Sequence, residues 1–391
     1  MKKGIACLIL TIMVICASQW TAFGLAEEIQ PLSSQELKNK WNINPSVKKI
    51  ILDTDVCFFG DDVYALHTLL KADELGYVDL CAITTCCGNN FVAGTTYDAL
   101  AYLDYVGRQD IPVYMGNDDL LSGMADIEQL QKLCGVISYT GLYEYQENYT
   151  DDYLQAAENG LSAWNQSKPT SKPKEQSAAD YIIEEIHNHP GEVTVLALGA
   201  LTNVAQALEK DPSIVEDAAG IIYMGGVFDT WAEEQQKLEY NFWCDPKATN
   251  IALSAGWKSQ TVVSHDAATT CLRGFDVYQM ALKQNHNPFT EFFIDNCRNG
   301  CGNDEEIKQN LENGLLYCWD PITVAYILCP EICTVVETRY IWVDDRMGPT
   351  YGLTFNWKED LQPEEAYKAE VVLAIDRDQF WQFLFDLSDA K

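Results

Sequence analysis

The chain has 391 residues, 47% of them hydrophobic, and a formal net charge of −32. That is enough apolar material to bury a full core, as one large α/β domain or as two small ones. The acidity excludes nucleic acid and anionic membrane as stable partners, since both would be repelled; otherwise it marks a solvated surface.

Residues 1–26 read as a secretory signal. Lys2 and Lys3 precede an apolar run at 5–17, and Gly24, Leu25 and Ala26 offer small residues for cleavage before Glu27. The run is too short for a membrane span, and no later stretch is long and apolar enough. The surroundings of Cys7 and Cys16 favour cleavage over lipidation. The expected location is therefore secreted: periplasmic or extracellular. Of the fourteen cysteines, those outside the signal are even in number, which permits disulfides. Cys297/Cys301 and Cys329/Cys333 have the closest suitable spacing. Others, such as Cys81 and Cys318, sit in apolar runs where cysteine is a small buried hydrophobe. No CxxC pair supports zinc, and few or no disulfides are expected. Residues 27–46 are polar and read as a lead-in segment.

Residues 47–70 run VKKIILDTDVCFFGDDVYALHTLL. Ile50–Leu52 is a short apolar run ending in Asp53 and Asp55, and Asp61 and Asp62 follow. Val63, Ala65, Leu66, Leu69 and Leu70 then recur at helical spacing. The reading is a buried strand, a loop and a helix with Asp61 and Asp62 at its start. Ligands of open α/β sheets sit at the carboxyl ends of strands. Four carboxylates converging there would repel one another unless a cation neutralised them, and oxygen donors suit calcium or magnesium. A helix cap would explain one or two of these Asp residues, not four. A phosphatase-type DxD strand end is a rival, but Cys57 stands where that motif wants Thr or Val.

DTD, a short loop and DD entering a helix resemble the signature of the inosine-uridine-preferring nucleoside hydrolases. The spacing is that of the family's longer-loop branch, with Cys57 near the place of its usual loop glycine. The resemblance implies a single open, mostly parallel, doubly wound Rossmann-like sheet with helices on both faces, spanning 47–391.

Further along, 78–84 (VDLCAIT) reads as the next strand, entering Gly88-Asn89-Asn90 and a helix through Leu103. By resemblance Asn89 binds ribose; by composition it is a turn asparagine. Residues 107–116 look like the family's next loop and short strand. Residues 120–176 are irregular and read as an elaborated loop over the site. Tyr139, Tyr143, Tyr145, Tyr149 and Tyr153 lie close together there, with Trp164 after them. These aromatics either stack on a base or pack the loop down. The stretch 167–177 is linker-like. Asn148 and Asn165 head sequons that matter only in a eukaryotic secretory pathway.

A helix at 177–187 and a strand at 193–198 lead to Gly199-Ala200-Leu201-Thr202-Asn203, similar to the family's GPLTN. The resemblance gives the Thr202 carbonyl a metal role; a helix cap is the alternative. Residues 220–228 match a strand ending in MGG. Glu239 and Asn241 then match the family's ExN, which holds the hydroxymethyl end of ribose. Asp245 reads as a cap with Pro246 at the first helical position. The strand at 261–263 precedes His265-Asp266, a tempting catalytic pair. Helices fill much of 276–312. Trp319-Asp320-Pro321 opens a helix over 322–328. Residues 340–354 and 370–375 look like the family's C-terminal strands, and 379–387 like its closing helix.

By resemblance Asp55, Asp62, Thr202 and Asp320 bind calcium, Asp61, Asn89, Glu239 and Asn241 bind ribose, and Asp53 orients the shell. Asp55 would take the proton of the attacking water. Trp319 stands where the pyrimidine-tolerant branch has His, and resembles the purine-specific branch, where indole stacks on the base; a core Trp is the alternative. The implied reaction is calcium-dependent hydrolysis of ribonucleosides, purine-preferring, by a homo-oligomer (dimer or tetramer). The alternatives are a secreted nucleoside- or ribose-binding protein on the same scaffold, and a hydrolase of another riboside.

Overall fold

The computed structural model describes residues 30–43, 48–57, 60–135, 137, 139–162, 168–230, 238–298, 301–313 and 318–391. The expected signal peptide, Trp164, the Asn165 sequon and residues 231–237 lie outside them. Leu32–Lys391 forms one compact unit.

Nine strands form one sheet in the order β3-β2-β1-β4-β5-β6-β9-β7-β8. They are β1 (Lys48–Thr54), β2 (Val78–Thr85), β3 (Val113–Met115), β4 (Val193–Ala197), β5 (Gly220–Met224), β6 (Gln260–Val263), β7 (Cys333–Val343), β8 (Thr354–Trp357) and β9 (Tyr367–Ile375). All pairings from β3 across to β9 are parallel; β7 runs antiparallel to both β9 and β8. The mostly parallel, doubly wound sheet is the one the sequence leads one to expect. Its antiparallel edge lies in the C-terminal strands.

Ile50, Ile51 and Leu52 are fully buried because β1 is covered on both faces. Ile50 and Leu52 join one apolar layer and Ile51 the other, as the two-residue period of a strand requires. The first layer receives helices α1 (Ser34–Trp41), α2 (Asp62–Glu74) and α3 (Val92–Val106). The second receives α4 (Ala178–Asn188), α5 (Thr202–Lys210) and α6 (Pro246–Ser254). Helices α7 (Asp320–Leu328) and α8 (Arg377–Asp389) return to the first layer. The sheet grows outward in two directions from β1 and β4, so the strand order reverses between them. A crevice forms at such a reversal, outside the carboxyl ends of the strands.

Two segments are more ordered than their composition implies. The polar lead-in contains α1, whose Ser33 and Glu36 form a reciprocal capping box. Its Trp41 is buried against the edge of Phe383 and donates its indole N–H to Asp386. The insertion at 120–176 carries a helix at Ile127–Cys134, a 3-10 turn at Gly141–Asn148 and a short helix at Tyr153–Ala156. Its linker-like end is clasped to α3, where Asp104 accepts from Thr170 Oγ1 and Ser171 Oγ, and to β3, where Lys174 N–H donates to the Val113 carbonyl. Asn148 and Asn159 exchange side-chain-to-backbone hydrogen bonds, which engages the amide of the first sequon. Among the described residues no disulfide links the cysteines. No helix among them is long and apolar enough to cross a membrane.

Candidate active site

β1 delivers Asp53, Thr54 and Asp55 to the point where the strand order reverses. Asp53 is fully buried, and its Oδ1 accepts from Thr84 Oγ1 (2.7 Å) on β2 and Asn203 Nδ2 (2.8 Å) on α5. It thereby ties the end of β1 to the end of β2 and to the first turn of α5, the helix after β4. Burial pushes its carboxyl up to about 6, and its Oδ2 is buried with no hydrogen-bond partner among the described residues.

Asp55 lies between two glycine turns. A Cβ on Gly88 would stand 2.0 Å from its Oδ2, and one on Gly199 would stand 2.7 Å from its Oδ1. Only glycine lets both backbones approach that closely. Asp55 Oδ2 accepts the Asn89 N–H at 2.6 Å. Asp62, at the start of α2, accepts from Thr54 Oγ1 (2.7 Å) and Asn89 Nδ2 (3.0 Å) and is within hydrogen-bond reach of the Asp55 and Asp320 carboxyls. One oxygen from each of Asp61, Asp62 and Asp320 falls within 4.8 Å of the others.

Asp55, Asp61, Asp62 and Asp320 therefore converge, although the last is far away in sequence. Burial is the main cause that raises every one of their pKa values, Asp62 to about 7; repulsion between carboxylates adds to it at Asp55, Asp62 and Asp320, whereas hydrogen bonds and Arg273 oppose it at Asp61. Such a donor set, all carboxylate oxygen and held in place by N–H and O–H donors from behind, fits a hard divalent cation. The glycine cradle around Asp55 and the unpartnered Asp53 oxygen fit a site that expects positive charge.

The remaining expected residues are placed as follows. Asp61 Oδ2 accepts the backbone N–H groups of Trp319 (2.7 Å) and Asp320 (2.9 Å). It thus caps α7 instead of its own helix, on which it makes no side-chain cap. Glu239 caps the turn Tyr240–Cys244 with both oxygens, accepting from Gly226, Asn241 and Phe242 N–H; burial raises its pKa. Asn241 Nδ2 donates to the carbonyl of Leu198 (2.8 Å) and lies 3.3 Å from that of Met224. Its carbonyl oxygen accepts from no described residue.

Thr202 opens α5, and its hydroxyl donates to Asp245 (2.9 Å). The backbone that abuts Asp55 belongs instead to Gly199; Leu198, just before it, donates its N–H to the Asp53 carbonyl at 2.7 Å. Asp245 caps α6 with Pro246 in its first turn, as its spacing indicates. It also accepts from Leu121 N–H, Ser122 N–H and Ser122 Oγ, pinning the start of the insertion. Trp319 is half-buried, and its Nε1–H donates to His265 Nδ1 at 3.0 Å. Indole only donates, so His265 Nδ1 carries no proton while that bond holds. Asp266 accepts the N–H groups of Phe228, Asp229 and Thr230 and so shapes the loop after β5.

Asn203, Leu198 and Tyr139 are absent from the sequence-derived set. Asn203 ends the GALTN motif and was within reach of a motif reading. Leu198 and Tyr139 carry no local signal: a strand-end carbonyl and one tyrosine among five become visible only through their partners.

A family model described as inosine-uridine preferring nucleoside hydrolase matches residues 50–382. The chain is 27% identical over 361 residues to a probable uridine nucleosidase 2 of Oryza sativa subsp. japonica, covering 87% of this chain and 97% of that one. It is 26% identical over 345 residues to the inosine-uridine preferring nucleoside hydrolase of Crithidia fasciculata, covering 87% and 96%. Among solved structures, a plant nucleoside hydrolase superposes with a TM-score of 0.69 at 26% identity, over 88% of this chain and 99% of that one. With the model match running through β1, the Asp61–Asp62 helix start and α7, this chain belongs to the inosine-uridine preferring nucleoside hydrolase family and is an N-ribosyl hydrolase.

Proposed function

We propose that the chain is an exported, calcium-dependent nucleosidase that cleaves ribonucleosides, purines by preference, to free base and ribose. The observation that carries this reading is the convergence of Asp55, Asp61, Asp62 and Asp320 at the strand reversal. Asp55, Asp62 and Asp320 would hold the ion. A backbone carbonyl would complete the set: the sequence points to Thr202, and the Leu198 carbonyl, one residue before the Gly199 that abuts Asp55, is the other candidate. When bound, the ion lowers the pKa of a coordinated water and orients the ribose diol.

Asp55, whose Oδ2 is fixed by the Asn89 N–H, would take the water's proton. The water oxygen bonds to the anomeric carbon, and the C–N bond breaks with its electron pair leaving on the base. The buried carboxylates stabilise the positive charge that develops on the sugar. Asp61 and Asn89 bind ribose hydroxyls, and Asn241 offers its carbonyl oxygen to the hydroxymethyl end. Glu239 acts chiefly by fixing the turn that carries Asn241. Trp319 stacks on a purine, which draws its proton from solvent. A uridine preference is the second reading, favoured by the relatives named uridine nucleosidases.

The test is release of reducing sugar from inosine, guanosine, adenosine, uridine and cytidine, with and without a chelator. Chelator-sensitive release from purines alone is expected, and Asp55→Asn or Asp62→Asn should lower it by more than about a thousandfold. Release from uridine alone would replace the purine preference with the second reading. No release at all with calcium bound would turn the proposal toward an unusual riboside or a binding protein. Sequencing the mature N-terminus checks export, with Glu27 expected first; light scattering checks for the dimer or tetramer.

A further inference from the structure

The insertion does not simply lie over the body. Tyr139 Oη is 2.7 Å from Asn89 Oδ1, and the other end of that amide, Nδ2, donates to Asp62. The Asp62 carboxylate accepts, so Nδ2 must face it and Oδ1 must face Tyr139, whose phenol is then the donor. The Tyr139 ring meets Tyr240 edge-on at 4.8 Å. Tyr240 lies between Glu239 and Asn241, and its hydroxyl donates to the Gly88 carbonyl at 2.7 Å. Leu142 N–H donates to the same carbonyl at 2.8 Å. Gly141, between them, has φ +47°, and a Cβ there would stand 2.0 Å from Tyr240 Oη and 2.5 Å from the Gly88 carbonyl oxygen. The insertion is thus stitched to the loop that carries Asn89 and to the segment that carries Asn241. Tyr139 nonetheless remains 44% exposed, which a residue serving only to fill the core would not be.

We infer that Tyr139 is a positioning residue: its hydroxyl orients the Asn89 amide so that the carboxylate cluster and the ribose-binding amide meet the sugar in one geometry. This rests on the nucleosidase reading above. A freely rotating Asn89 would leave Asp62 without its Nδ2 donor part of the time. It would also present the wrong end of the amide to a ribose hydroxyl. The role belongs to this chain's insertion, since Tyr139 lies outside every motif of the DTD, GALTN, MGG, ExN and WDP series.

The test is Tyr139→Phe, which keeps the ring against Tyr240 and removes only the hydroxyl. It is assayed with calcium on whichever of inosine or uridine the unaltered protein cleaves better, alone and in an Asn89→Ala background. Loss of one hydrogen bond that aligns a reacting group should lower kcat/KM about tenfold. The melting temperature should not change, and the further loss in the Asn89→Ala background should be under about twofold. Unchanged kcat and KM would overturn the inference. So would a lowered melting temperature, which marks a merely structural bond, or an undiminished loss in the Asn89→Ala background, which marks direct contact with substrate. Absence of turnover by the unaltered protein would remove the nucleosidase reading and this inference with it, and is distinct from the other outcomes.

Discussion

At the residue scale, the site is governed by who satisfies each carboxylate. Asp61 looks like the cap of its own helix in sequence but spends Oδ2 on the first N–H groups of α7, which brings Asp320 alongside Asp62. Trp319 is held from both ends, by its backbone N–H on Asp61 and its indole N–H on His265. Trp319→Ala should therefore cost selectivity more than stability. We expect the inosine-to-uridine ratio of kcat/KM to fall by about tenfold, the scale of one aromatic contact. An unchanged ratio would dismiss stacking. Trp319→Phe separates the two functions of the side chain, since it retains a ring face and loses the donor to His265.

At the element scale, the polar segments are parts of the fold. The helix α1 follows from its capping box, but its value comes from Trp41, buried between α8 and the body. Trp41→Ala should cost about 3 kcal/mol by cavity formation, read as a shift in the denaturant midpoint. The insertion is fastened by Gly141, so Gly141→Ala should loosen it without disturbing the sheet. The Leu142 amide, which bonds to Gly88, should then exchange with solvent faster while amides of β1 keep their protection. Tyr143 and Tyr149 meet Trp243 and Phe91 edge-on, so of the two readings of the tyrosine cluster these residues follow the packing one.

At the scale of the whole molecule, the acidic centre makes stability depend on pH and on cation. The pKa values of Asp53 and Asp62 rise to about 6 and about 7 on folding, first by burial. At these two groups the folded state binds more protons than the unfolded one between about pH 4 and 7, so their contribution to stability is present below that window and is lost as pH rises through it. Chelated protein should accordingly melt at a higher temperature at pH 5 than at pH 8. Calcium should raise the melting temperature at pH 8 most and flatten the slope, because binding favours the ionised carboxylates. A chelated protein that melts at the same temperature at both pH values would contradict this account.

The sequence by itself determined the strand–loop–helix at residues 47–70, the site's place at a strand end and the identity of the acidic residues. Those follow from local facts: an apolar run, the carboxylates after it and helical spacing beyond. It also carried the order of motifs, hence the doubly wound sheet. Only the tertiary structure decided what each polar group does. Asp61 caps a helix whose first residue is Asp320, Glu239 fixes a turn, Thr202 answers to Asp245, and Tyr139 reaches Asn89 across some fifty residues. The physical reason is that a buried polar group must find a partner. Which partner it finds depends on which distant backbone the sheet order brings within 3 Å, and no local pattern in the chain records that.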